Sequence, residues 1–331
     1  MENNNSKDSK RKRVKREVVT CPPINNLDDL IKVSQSGILY HNIDTFALWN
    51  IQRHLIKLRD MIGMETVKKS VFQQIVYYIQ GLHTKDVNGE YLHTCIMGPP
   101  GTGKTSVAEI LAHIYRDLGV LGEYGTFKII HRDDLVAGYV GQTAIKTKKL
   151  LNSAIGGVLF LDEAYSMGSR DKVDGDSFAK EAVDTLTSFL SEHKTDLCFI
   201  IAGYEEDIKS QFFSINKGLE RRFPWVHRIQ HYSNQELAMI ALKLINDITW
   251  KTDVTIDELA ELISENKEMF ENAGGDVETF ISKCKIAHAN RVFTFSPEIK
   301  FILTKIDFEN GLKMVKENKQ EKSTAFLNFY T

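Results

Sequence analysis

No pair of cysteines in this sequence suggests a disulfide. Cys21, Cys95, Cys198 and Cys284 lie far apart with no C-x-x-C, so they read as reduced thiols, and Cys95 and Cys198 sit in apolar runs that predict buried strands. Proline (6) and glycine (21) are too scarce among 331 residues for a fibrous or low-complexity chain. No run approaches the roughly 18 apolar residues needed to cross a bilayer, and the N-terminus has no apolar signal core. The expectation is a soluble intracellular protein, in cytoplasm or nucleus, with no membrane contact. Excess charge of one sign is also lacking. The balance of 42 Lys+Arg against 44 Asp+Glu gives a net charge of −2, which argues against a surface built to coat nucleic acid. The ten histidines are scattered, with no H-E-x-x-H and no Cys/His metal spacing. What is present is ample core material, since 42% of residues are hydrophobic.

The chain changes texture along its length. Residues 1–20 lack apolar periodicity and predict a disordered basic tail, and six of the seven residues Lys10–Arg16 are basic. That run reads as a nuclear-import signal, as an electrostatic contact, or as a solvated tail. Residues 21–60 predict a helical segment with starts at Asn26 and Asn42. From Tyr91, short apolar runs (92–97, 127–131, 157–162, 197–202 and 226–230) alternate with helical patterns at 104–118, 143–153 and 178–193. That alternation predicts an α/β domain over 61–231, a parallel sheet sandwiched by helices. Beyond it, Ser233 with Glu236 and Thr255 with Glu258 read as capping boxes, 276–292 as a helix, and Thr304 with Asp307 as a weaker start. A small helical lid over 232–315 and a C-terminal tail over 316–331 complete the expectation.

Two motifs carry chemistry. Gly98-Pro99-Pro100-Gly101-Thr102-Gly103-Lys104-Thr105 matches G-x-x-x-x-G-K-[ST], with an apolar strand before it and a helical pattern after. Its glycines let backbone N–H groups curl around phosphate oxygens, and the next helix aims its N-terminus at the same oxygens. Lys104 reaches the β- and γ-phosphates and the Thr105 hydroxyl ligates Mg²⁺. The second is Val158-Leu159-Phe160-Leu161-Asp162-Glu163, a buried strand ending in two carboxylates. Beside a phosphate loop, Asp162 is placed to hold Mg²⁺ and Glu163 to polarise the attacking water.

With these motifs the chain resembles the AAA+ ATPases, and more narrowly the branch of the red-type Rubisco activases and the stage V sporulation K-type ATPases. The likeness covers residues 60–295. It runs through Gly98–Thr105, the stretch Arg132-Asp133-Asp134-Leu135-Val136-Ala137-Gly138-Tyr139-Val140-Gly141-Gln142-Thr143-Ala144, Gly156–Tyr165, Ala202-Gly203-Tyr204 and Gly218–Pro224. The resemblance implies ATP as the nucleotide and gives roles to further residues. Ile62-Gly63 would line an adenine pocket, Tyr139-Val140-Gly141 would be an aromatic pore loop gripping a threaded polypeptide, and Arg222 would be an arginine finger acting on the neighbouring subunit. Each has a plainer alternative: Ile62 as core, Tyr139 as a packed loop aromatic, Arg221 and Arg222 as surface charges. Three departures stand out. Glu220 occupies a position where the family often has arginine, Gly274-Gly275-Asp276 offers no second-sensor arginine, and Tyr204 stands where a first-sensor asparagine is usual.

The sequence thus predicts an Mg²⁺-dependent ATPase assembled with itself, by resemblance as a hexamer, that threads a protein client. A nucleotide-gated scaffold with little hydrolysis is the alternative that Glu220 and the missing lid arginine favour. A nucleic-acid-acting ATPase is the one the basic tail favours.

Overall fold

A computed structural model describes residues 19–85, 89–122, 125–139, 141–168 and 176–328. Residues 1–18 of the expected disordered tail, with the basic run Lys10–Arg16, lie outside the described residues, as does Val140. The last two residues of that tail are held in place, Val19 by a bridge to Tyr40 and Thr20 by His41. The chain opens with α1 (Leu27–Gln35), α2 (Thr45–Arg59) and α3 (Glu65–Ile79). There follow β1 (Thr94–Met97), α4 (Lys104–Asp117), β2 (Phe127–Ile130), α5 (Arg132–Leu135), α6 (Thr143–Asn152), β3 (Val158–Leu161), α7 (Ser177–Glu192), β4 (Cys198–Gly203), the single turn α8 (Glu205–Asp207) and β5 (Trp225–Arg228). The five strands form one parallel sheet in the order β2-β3-β4-β1-β5.

Side chains alternate across each strand, so one sheet feeds two cores. Ile96, Phe160, Ile200 and Ala202 join α1–α4 in the first core. Cys95, Met97, Leu159, Leu161, Phe199 and Ile201 join α7 and its neighbours in the second. β1, β3 and β4 are buried along their whole length, the condition that makes parallel strands read as continuous apolar runs. Each Leu or Ile fully withdrawn from water stabilises by about 1.5–3 kcal/mol. The three N-terminal helices therefore belong to the sheet's own packing: Leu48, Ile51, Leu55 and Leu58 of α2 lie in the first core.

Local signals explain most boundaries. The Asn26 side chain accepts from Asp29 N and caps α1. Asn42, expected to start the next helix, accepts instead from Cys21 N at 2.8 Å, and Asp44 caps α2 through Ala47 N at 2.9 Å. Both capping boxes form, opening α9 (Asn234–Asp247) and α10 (Ile256–Glu265). The helix expected from 276 begins earlier, as α11 (Ala273–Val292), because the Asp276 carboxylate turns back to accept from Asn272 N at 2.7 Å. α12 (Lys305–Asn328) runs through the segment expected as a tail from 316. A two-stranded pair, β6 (Lys251–Thr252) with β7 (Ile302–Leu303), ties these helices together around a third core of Ile245, Leu259, Ile263, Phe280 and Phe308. Among the described residues no helix is long and apolar enough to cross a membrane.

That helical unit is pinned by Asp307, which is 0% exposed. Its carboxylate accepts from Arg291 Nε and Nη2 at 2.8 Å each and from Thr304 N at 2.8 Å, and lies 3.0 Å from His288 Nδ1. Burial alone would raise its pKa, but the Arg291, Thr304 and His288 bonds win and hold it far below the usual carboxylate range. Asp307→Ala is expected to cost about 1.5–3 kcal/mol at neutral pH, since it leaves the half-buried Arg291 guanidinium and the buried His288 ring without their partner. Denaturant titrations from pH 7 to 2 check this. A lowered folded pKa stabilises fully above the unfolded value of about 3.9 and is lost as pH falls from there through the lowered folded value, so the gap between wild type and Asp307→Ala should hold from pH 7 to about 4 and narrow from there to pH 2.

Candidate functional site

The C-terminal ends of β1, β3 and β4 converge on a cavity of about 200 Å³ lined by Pro100 through Thr105, Asp162, Glu163, Tyr165, Gly203 and Tyr204. The two motifs separated in sequence are thus brought together. Thr105 Oγ1 donates to Asp162 Oδ2 at 3.2 Å, which puts a hydroxyl and a carboxylate oxygen side by side. Mg²⁺ typically takes one or two such protein ligands and draws the rest from phosphate and water, so this pair fits it. No larger cluster of His, Cys, Asp and Glu disposed to hold a metal occurs among the described residues.

The loop's carbonyls are taken from behind. Thr102 Oγ1 donates to Pro99 O at 2.8 Å, and Lys104 Nζ donates to Gly98 O at 3.1 Å and Pro99 O at 2.7 Å. Tyr232 OH donates to Thr102 O at 3.1 Å and Gly274 N to Gly101 O at 3.0 Å. α4 starts at Lys104 directly after Gly103 in the left-handed region, so its first N–H groups are available to an anion. Burial pulls the Lys104 ammonium below its ordinary pKa, while Asp162 and Glu163 pull it back up. Reaching a phosphate would exchange its two neutral carbonyl partners for charged oxygens, a stronger pairing.

Glu163 sits at φ +50, ψ 48, a left-handed conformation that costs a residue with a Cβ about 1–3 kcal/mol. Asp162 Oδ1 accepts from its N–H at 2.9 Å. The Tyr165 ring stacks on Tyr204 at 5.3 Å between centroids, and Lys104 Nζ stands 5.3 Å from the Tyr204 ring centre, within cation–π range. Burial first, and then its hydrogen bond to Glu163, push the Tyr165 phenol above its usual pKa. Tyr204 therefore belongs to the cavity. Tyr165 is a site residue to which sequence reasoning gave no role, because its place depends on a ring stacked across two strands.

The remaining expected residues divide. Gly63 abuts Tyr232 and Glu236 at the joint with the helical unit, and Tyr232 also holds the phosphate loop, so Ile62-Gly63 stands beside the site. Tyr139 is 74% exposed rather than packed on the domain; it and Gly141 are not among the cavity-lining residues. Arg222 is also outside the cavity lining. Its guanidinium is folded onto its own chain, with Nη2 to Ser191 Oγ at 3.0 Å and Nη1 to Gly218 O at 2.5 Å; Arg221 is exposed. In place of a lid arginine, the backbone at the start of α11 lies directly on the phosphate loop.

Three comparisons bear on this site. The model of a family described as "ATPase family associated with various cellular activities (AAA)" matches residues 94–224. A CfxQ-like protein of Acanthamoeba polyphaga mimivirus is 36% identical over 314 residues, covering 92% of this chain and 75% of that one. The chloroplastic ribulose bisphosphate carboxylase/oxygenase activase of Cyanidioschyzon merolae is 32% identical over 294 residues, covering 86% and 98%. In fold, the chain is similar to the FIGL-1 AAA domain solved in complex with ADP, with a TM-score of 0.56 at 18% identity over 77% of this chain and 83% of that one.

Gly101, at φ +63, could not carry a side chain here: a Cβ would run into Asn272 O and stand 2.9 Å from Gly275 N. Gly101→Ala is expected to push α11 off the loop at a cost of about 1–2 kcal/mol in left-handed strain. Hydrogen exchange at the Gly274 amide checks this, and should speed up by roughly tenfold.

Proposed function

The chain belongs to the AAA family of ATPases associated with various cellular activities, and from that premise we propose that it binds ATP with Mg²⁺, hydrolyses it and works as a ring of its own copies. The observation that carries the reading is the meeting of Gly98–Thr105 with Asp162 and Glu163 in one cavity, with Thr105 Oγ1 3.2 Å from Asp162 Oδ2. The loop amides and the N-terminus of α4 take up the phosphates, and Lys104 neutralises the β- and γ-oxygens. Thr105 and Asp162 are the residues that would hold Mg²⁺, which would supply charge stabilisation to the phosphates. Glu163 accepts a proton from, and orients, the attacking water. Ile62 and Gly63 are the residues to line the adenine base in this reading.

Arg222 completes this reading from a neighbouring copy. Within its own chain its guanidinium is spent on Ser191 and Gly218, so supplying a finger means giving up those bonds at the subunit interface. The exposed Tyr139 at the root of a loop with Gly141 fits the grip on an extended protein client. One relative is by its printed name an activase of another enzyme, which favours a protein as the target. A second reading, a nucleotide-gated scaffold with slow hydrolysis, draws on the absence of a lid arginine at Gly274-Gly275-Asp276.

Turnover measured against protein concentration tests the ring: specific activity should rise with concentration, and a constant value down to a proven monomer would contradict a finger acting between copies. Glu163→Gln should keep ATP affinity while turnover falls about 10²–10⁴-fold. Arg222→Ala should lower turnover by about 10³-fold or more, with ATP binding retained. Rates equal to wild type in either variant would remove that residue from its role.

A further inference from the structure

The turn that carries Glu163 is held in part by a residue that does not line the cavity. After Glu163 the chain forms a single 3-10 turn, Ala164–Met167, with Ser166 N donating to Glu163 O at 2.8 Å. A left-handed non-glycine residue persists only where its surroundings over-determine it. At the cavity, the Tyr165–Tyr204 stack supplies one constraint. A second comes from the core, where Ala164 and Met167 are buried, and a third is Arg132. Its Nη1 donates to Ser166 O at 3.0 Å and reaches Met167 O at 3.5 Å, and its Nη2 pairs with the Asp176 carboxylate. Asp176 in turn caps α7 through Phe178 N and Ala179 N at 3.0 and 3.1 Å. One planar guanidinium thus fastens the turn behind Glu163 to the start of a core helix.

Arg132 also opens α5, which leads into the loop of Tyr139. The root of that loop is bound into a unit of its own. Lys146 Nζ donates to Asp133 O and Val136 O at 2.5 and 2.9 Å, Thr147 Oγ1 donates to Leu135 O at 2.9 Å, and Ala137 N donates to Thr143 Oγ1 at 3.1 Å. α5, residues 136–137 and α6 are therefore bonded into one unit. Arg132 is the charged connection between this unit and the Glu163 turn.

The geometry points to Arg132 as a positioning residue that couples the conformation of Glu163 to the loop of Tyr139, so that the nucleotide at the cavity is sensed at Tyr139 through its guanidinium. The inference rests on the nucleotide-binding reading above. The two-state element it requires is the strained turn at Glu163, which Arg132 biases from the loop side and a bound γ-phosphate from the cavity side. Arginine is needed because a lysine ammonium lacks the fork that serves two carbonyls and a carboxylate at once.

All four native cysteines are buried, so Tyr139→Cys offers one accessible thiol for an environment-sensitive fluorophore. A non-hydrolysable ATP analogue should change the emission of this labelled full-length chain. Adding Arg132→Ala should cut that change by about fivefold while affinity for the analogue stays within about twofold of the parent. Arg132→Lys, which keeps the charge facing Asp176, should restore less than half of the signal, and it carries the test if the alanine variant does not fold. A full signal in Arg132→Lys and Arg132→Ala, or a signal that falls only in step with affinity, overturns the coupling role. A parent that binds the analogue without any emission change overturns it as well, leaving the ATPase reading intact. No binding by the parent overturns both.

Discussion

A loop holds an anion through its amides only if its carbonyls are turned away and satisfied elsewhere, and this site depends on how that is done. The carbonyls of Gly98, Pro99, Gly101 and Thr102 are taken by groups from three parts of the chain. Thr102 and Lys104 act from within the loop, Tyr232 from the segment before α9, and Gly274 from the start of α11. Gly98 N closes the set by donating to Gly203 O at 3.1 Å, which locks the loop to the end of β4. With these four acceptors spoken for, the loop offers an anion chiefly its donors. Its affinity for phosphate is therefore a property of the whole fold rather than of eight residues. Anything that moves the helical unit withdraws the Tyr232 and Gly274 contacts from the loop.

The sheet supplies the rigidity that this arrangement needs. β1, β3 and β4 are buried on both faces, so their C-terminal ends cannot shift without disturbing two cores at once. That is why strain can be stored at Glu163. The backbone cost of about 1–3 kcal/mol there is small beside the packing beneath it. Two of the groups that fix the turn, Tyr204 and Arg132, come from the end of β4 and from the start of α5 just beyond β2.

Much of the fold could be read in the sequence because its signals are local. The apolar runs became strands within a residue or two, and the capping boxes at Ser233 and Thr255 formed as their spacing implies. The phosphate loop and the Asp162-Glu163 pair were also legible, because their chemistry is written in contiguous residues. What escaped depended on contacts between distant segments. Asn42 looked like a cap, but Cys21 claims its side chain and Asp44 caps the helix. α12 continues past 316 even though that stretch is polar, so its length was not marked by an apolar face. The place of Tyr165 had no sequence signal beyond its nearness to Glu163. The inward fold of Arg222 onto Ser191 of α7 had none either, since nothing in Gly218–Pro224 names that partner.

The missing lid arginine takes on a different meaning in this setting. An arginine at the head of a lid helix reads the nucleotide with a long side chain, which needs space between helix and loop. At Gly274 that space does not exist, although a Cβ on Gly275 would meet open space. Gly274 N donates to Gly101 O at 3.0 Å, and a Cβ on Gly274 would stand 2.7 Å from that same oxygen. The two glycines are thus paired by contact: Gly101 can take its left-handed turn only under a bare helix end, and Gly274 must be bare to sit on it. Restoring an arginine at Gly274 would break this contact before its guanidinium could reach a phosphate. The lid is tied to the loop through the main chain instead, so a shift of Gly101 must be felt directly at the first turn of α11.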